Sequence, residues 1–245
     1  MEADRIERIE QLFKKRYRIK KLANLLISAV IVLLGVTSFV FIWSFDRDGV
    51  LTFRWMTVDG TVFTTVIAFL YIAMNILEIA RYTELTSRIV YYMRLASAVA
   101  ESLIMVVVLL SQLPVSPQHM HILRYDMFNM HLVIPILTVV SFITNDSPIG
   151  KQRFRKLWHG TWFVTLYAAV VLTLIFTGVI PQEMIPYAFM DFAHMPALAI
   201  LACFVFIYGM GILLSFCLYR WNRKLSWLWF KDVAARKTAP RTAAK

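Results

Sequence analysis

The sequence predicts an all-α integral membrane protein, a six-helix transmembrane bundle with both termini cytoplasmic. Three observations predict it. Hydrophobic residues make up 59% of the 245, charged residues only 17%, and mean hydropathy is +0.64, leaving too little polar surface for a soluble chain. The apolar residues gather into six segments, each long enough to cross a hydrocarbon core of about 30 Å. The basic residues then fall almost wholly on one side of the threaded chain, and an even number of spans puts both ends on that side.

The spans are expected near 22–44, 55–79, 91–114, 127–145, 161–180 and 197–219, joined by connections too short for a soluble domain. Three regions follow: a basic amphipathic tail (1–21), the membrane domain (22–219), and a basic, aromatic tail (220–245) whose end is expected to be disordered. The first span is too long and lacks the small-x-small site of a cleavable signal. Eight Lys/Arg precede it and eight follow the last span. Arg81 and Arg88 lie in the second connection, and Lys151, Arg153, Arg155 and Lys156 in the fourth. Opposite them stand only Arg47, Arg54 and Arg124. The net charge of +11 is therefore a topology signal and not a nucleic-acid site.

"RIERIEQLFKKRYRIKKL" interleaves charge with Ile6, Ile9, Leu12, Phe13 and Ile19, the pattern of a helix held on a leaflet by anionic lipid. "RWNRKLSWLWFKDVAARK" suits an interfacial belt. Cys203 and Cys217 share a helix roughly 21 Å apart, too far for a disulfide. Gly211 and Ser215 fit small-xxx-small packing.

Polar residues inside spans are costly unless they face the bundle interior. On the second span Thr57, Thr61, Thr64, Ala68, Tyr71, Asn75 and Glu78 recur at alternating steps of four and three, one helix face. His131, Thr138 and Asn145 share a face of the fourth, and Arg94, Ser97 and Glu101 a face of the third. Most of these read as interhelical glue. Glu78 and Arg94 are expected to pair across the second connection. Glu101, about two turns deeper than Arg94, has both a structural and a functional reading.

His131 precedes Pro135 by four residues. The proline has no N–H to give the carbonyl of residue 131, so a break in the helix is expected there. A lone histidine on such a face is usually a satisfied core residue, but Thr57 lies at matching depth. A hydroxyl, an imidazole and a carboxylate from Asp59, Asp126 or Asp191 would form the minimal set for acyl transfer.

These residues resemble a family. "FRWMTVDGTVF" (53–63) resembles the aromatic-x-Thr signature of the androgen-induced and androgen-dependent membrane proteins, threonine hydrolases of fatty acid esters of hydroxy fatty acids, and of their uncharacterised bacterial relatives. "NMHLVIPILTVVSFI" (129–143) is similar to the family's His-x-x-x-Pro helix, and "IPYAFMDF" (185–192) to its Tyr-Pro-Phe-acidic element. The likeness runs from about residue 50 to 220. It implies an amphiphilic lipid ester as substrate, Thr57 as nucleophile, His131 as base, and no cofactor or metal. Arg54, Tyr187 and backbone amides are the candidate oxyanion donors. The polar Ser/Asn positions that commonly follow the threonine are Gly60 and Thr61 here, with Asp59 intruding, and the first proline of the Tyr-Pro-Phe element is displaced.

Other classes stay open. A transporter or binding protein for a small amphiphile needs no catalysis, although no repeat is visible and only the fourth span has an interior proline. Bis-histidine haem needs facing ligands, yet His119, His121 and His194 fall in connections. His119, His121 and Asp126 make a weak metal signal. A purely structural partner gives no reason for Glu101 or His131. Oligomeric state is not readable.

Overall fold

The computed structural model describes residues 2–45, 48–81, 85, 87–112, 114, 123–146 and 154–238. Among them six helices are long and apolar enough to cross a membrane, and no residue is in a strand. They are α1 (Glu2–Phe45), α2 (Met56–Arg81), α3 (Arg88–Val107), α4 (Tyr125–Asn145), α5 (Trp162–Phe176) and α6 (Ala197–Thr238). The chain is thus a multi-pass membrane protein by length and composition. His119 and His121, and the end of the C-terminal tail beyond 238, lie outside the described residues.

α3 is the central element, because its "LASAVAES" run presents short side chains that let neighbours approach on every side. Every residue from Arg94 to Ile104 is buried, and α2, α4, α6 and the 3-10 segment Phe154–Thr161 all pack against it. α1 lies along α2 and α4. Small residues set the closest crossings. A Cβ on Gly35 of α1 would fall 2.0 Å from the Thr65 hydroxyl, and one on Gly160 would fall 1.8 Å from that of Ser215 on α6. Leu26, Leu33 and Val40, at sevens on α1, and Leu198, Leu201 and Val205 on α6 stay exposed, as a lipid-facing surface requires.

The element bounds differ from the sequence expectation for local reasons. α1 takes in the N-terminal tail and α6 runs on to Thr238, so both tails continue their spans as helix instead of forming separate elements. α5 stops earlier than expected because Gly178, at φ +73°, is the left-handed residue that ends it; its amide bonds to the Ile175 carbonyl. The expected break before Pro135 takes the form of a π-helical segment, Asn129–Val133, in which the Ile134 amide reaches back five residues to Asn129.

Where the basic tail meets the bundle, α1, α2, α3, α4 and α6 are joined by a buried polar network. The expected Glu78–Arg94 pair is absent: Arg94 Nε meets Asp146 Oδ2 at 3.3 Å, and Glu78 meets Lys21 at 2.6 Å. The reason is that α1 and the end of α4 both reach this layer and bring partners of their own. Ser141 donates to Asn24, and Asn222 donates to the carbonyls of Phe142 and Asp146. Lys20 and Lys21, read from sequence as part of the lipid-facing tail, point inward and are buried.

Candidate functional site

The site lies at the opposite end of the bundle, where α2 begins. The chain enters α2 from a 3-10 turn (Gly49–Arg54), and two phenols fix that entry. The Met56 amide donates to the Tyr187 hydroxyl at 3.2 Å, and the Tyr167 hydroxyl donates to the Arg54 carbonyl. The two phenols also interact with each other. Burial pushes the Tyr187 phenol up to about 12, so it remains a neutral hydrogen-bonding group. Tyr187 is carried by the connection 177–196, which folds back so that Ile180 and Met190 bury against Tyr167 and Val171 of α5.

Thr57, in the first turn of α2, places its Oγ1 at 3.2 Å from His131 Nε2. The imidazole Nδ1 is 2.8 Å from the Met127 carbonyl. A carbonyl only accepts, so Nδ1 carries the proton. Nε2 then presents its lone pair, and the Thr57 hydroxyl donates to it. The π-helical segment bears on this geometry, since His131 lies within it and Met127 lies two residues before its first residue. His131 is 5% exposed, which shields the contact from competing water.

None of the three carboxylates expected beside the imidazole is bonded to it. Asp126 receives two hydrogen bonds from the Arg124 guanidinium, at 2.7 and 2.6 Å. Asp191 binds Gln182 and His194 within the connection; desolvation opposes the effect, but these hydrogen bonds hold its carboxyl below the usual range. Asp59, half-buried on α2, acts electrostatically on Tyr167 and Tyr187. Arg54 is tied to its own turn, with bonds to the Leu51 carbonyl and Asp48. Of the first-turn amides of α2, those of Val58 and Asp59 bond to Trp55, while that of Thr57 meets no acceptor among the described residues. Glu101 is fully buried on α3.

Thr57 also lines an apolar cleft with about 650 Å³ of free space, mouth included. Its walls come from α3 (Leu103, Val107), α5 (Ala168), α6 (Phe204, Ile207) and the connection (Phe189). Sequence reasoning missed this cleft because its residues read as ordinary span residues. Met127 was also missed, since its contribution is a main-chain carbonyl; its place four residues before His131 was the available signal. The arrangement places a hydroxyl against an imidazole beside an apolar cleft. Compared with family models, curated proteins and solved structures, the chain gives no match.

Proposed function

We propose that the protein is an integral membrane hydrolase of lipid esters, in which Thr57 attacks the ester carbonyl and His131 takes its proton. The observation that carries this reading is the Thr57–His131 contact, together with the Nδ1–Met127 hydrogen bond that leaves Nε2 free to act as base. In other hydroxyl hydrolases a carboxylate orients the imidazole; here a main-chain carbonyl takes that place. It fixes tautomer and ring direction, while Asp126 acts on the imidazole through space without bonding to it.

The reaction begins with one acyl chain of the ester lying in the apolar cleft, its carbonyl beside Thr57. Attack forms the Oγ–acyl bond and breaks the bond to the alcohol, which leaves with the proton held on His131. The free Thr57 amide is the oxyanion donor that the geometry favours. Water then releases the fatty acid through the same imidazole. The resemblance of 53–63, 129–143 and 185–192 to the androgen-induced and androgen-dependent hydrolases supports a fatty-acyl ester substrate. The charge asymmetry puts both termini in the cytoplasm and the dyad in the outer half of the membrane, and leaves the remaining tail lysines and arginines to anionic lipid.

Hydrolysis of long-chain esters by protein in lipid nanodiscs tests the reading. Thr57→Ala and His131→Ala are each expected to lower turnover by about 10²–10⁴-fold. Full activity in folded Thr57→Ala would exclude it. The same cleft also favours a second reading, a carrier or binding protein for a small amphiphile. Tight fatty-acid binding without ester turnover in the wild type would support that one.

A further inference from the structure

On α2, one turn beyond Thr57 and on the same face, the Thr61 hydroxyl is buried and meets no partner among the described residues. Thr64 follows, bonded to Ser97 at 2.9 Å, and its side chain interacts with Glu101. Both carboxylate oxygens of Glu101 are buried without a partner at hydrogen-bonding distance, as is the Thr138 hydroxyl on α4. Two turns past Thr64 the Tyr71 hydroxyl is unpartnered as well. The nearest cation along α3, Arg94, is held by Asp146 and Ser141 and stacks over the Tyr71 ring.

Interhelical glue does not account for this set. Polar residues in these spans otherwise bond across helices, as Thr64 does to Ser97, or back to their own helix, as Thr65 does to the Thr61 carbonyl and Ser102 to that of Ala98. Here the hydroxyls of Thr61, Tyr71 and Thr138 and the carboxylate of Glu101, on three helices, are buried with no partner at hydrogen-bonding distance among the described residues. Buried groups of this kind are satisfied in proteins by ordered water, each molecule taking two to four polar partners.

We propose that Thr61, Thr64, Glu101, Thr138 and Tyr71 line a file of buried water that begins about one helical turn, roughly 6 Å, below Thr57, and that this file supplies the water that hydrolyses the acyl-enzyme. Only the second clause rests on the hydrolase reading. The chemistry needs such a source, because an acyl chain seated in the apolar cleft blocks water from that side. A water leaving the file attacks the Thr57 ester carbonyl and gives its proton to His131 Nε2. The acyl–Oγ bond breaks, the imidazole returns the proton to Oγ, and the carboxylic acid departs. Glu101 is then a positioning residue that anchors the file without touching substrate.

Two measurements on the full chain in nanodiscs test this. Radiolytic hydroxyl labelling in ¹⁸O-water reads buried water directly. Tyr71 is expected to be labelled several-fold more than Tyr91, which is also buried but has its hydroxyl bonded to Asn222. Equal labelling of the two overturns the file, whatever the enzyme does. Burst kinetics with a chromogenic long-chain ester read its role. In Glu101→Leu with Thr61→Val the acylation burst is expected to persist while steady turnover falls at least tenfold, with Glu101→Gln recovering most of the loss. Thr61→Val alone serves if the double variant fails to fold. Tyr71 labelling with neither a burst nor steady turnover in the wild type would sink the hydrolase reading and leave the file standing. A burst with unchanged turnover in the variants would overturn the role given to its water.

Discussion

Replacing Asp146 by alanine removes the carboxylate that faces the fully buried Arg94, and the consequence can be worked from the contacts. Arg94 keeps its bond to Ser141 and its stacking on Tyr71 but loses its counter-charge. The main-chain ties at this position survive, because Asn222 and Lys20 donate to the Asp146 carbonyl, which alanine retains, and only the long Asn24 contact to Oδ1, at 3.5 Å, is lost with the carboxylate. The cost is therefore that of leaving one buried charge uncompensated, about 3–5 kcal/mol. A second replacement, Arg94→Met, removes the orphaned charge and is expected to recover more than half of that loss, since a buried ion pair replaced whole by apolar groups is often neutral. Reversible unfolding in mixed bicelles, titrated with denaturing detergent for wild type, Asp146→Ala, Arg94→Met and the double variant, measures both numbers. A single variant within about 1 kcal/mol of wild type, or a double variant no more stable than Asp146→Ala, would refute the reasoning.

Ala168→Trp fills the cleft beside Thr57, so the ratio of long-chain to short-chain ester hydrolysis should drop about tenfold or more, read from a chain-length series. Tyr187→Phe leaves the Met56 amide without its acceptor and should cost roughly 1–3 kcal/mol, with a matching loss of turnover. The Tyr187 phenol is raised in the folded state, so its stabilising contribution is full below the ordinary tyrosine value of 10 and fades as the pH climbs to about 12. Unfolding at pH 8 and pH 11 should accordingly show the variant losing less stability than wild type over that interval. Asp191 titrates low in the fold, so its contribution is present above the ordinary value of 3.8 and lost as pH falls through the lowered one. Asp191→Asn should speed proteolysis of the connection 177–196 at pH 7, with the difference from wild type closing in strong acid.

Much of the bundle was legible because a membrane imposes length. Twenty apolar residues between charged ends leave few alternatives, and the α2 stripe from Thr57 to Glu78 declared its inward face by spacing alone. Exact ends depended on local residues: Gly178 stops α5, whereas α6 runs past 219 to Thr238. Electrostatic pairing was read wrongly at Glu78 and Arg94 because sequence proximity across a short connection does not reveal that Lys21 and Asp146 arrive from α1 and α4. At the site, Thr57 and His131 were readable from type and depth. The group that orients the imidazole was not, because a backbone carbonyl leaves no mark on residue type. Nor was the cleft, whose walls differ in no way from lipid-facing leucines until the helices are assembled.

The central claim is that Thr57 is a nucleophile made reactive by His131. The most direct measurement is to expose the intact protein to a fluorophosphonate and map the adduct by peptide mass spectrometry. A single covalent adduct on Thr57 Oγ is expected, formed at least a hundredfold more slowly in folded His131→Ala and absent in Thr57→Ala. An adduct on any other residue, or labelling of Thr57 at the same rate without the imidazole, would contradict it.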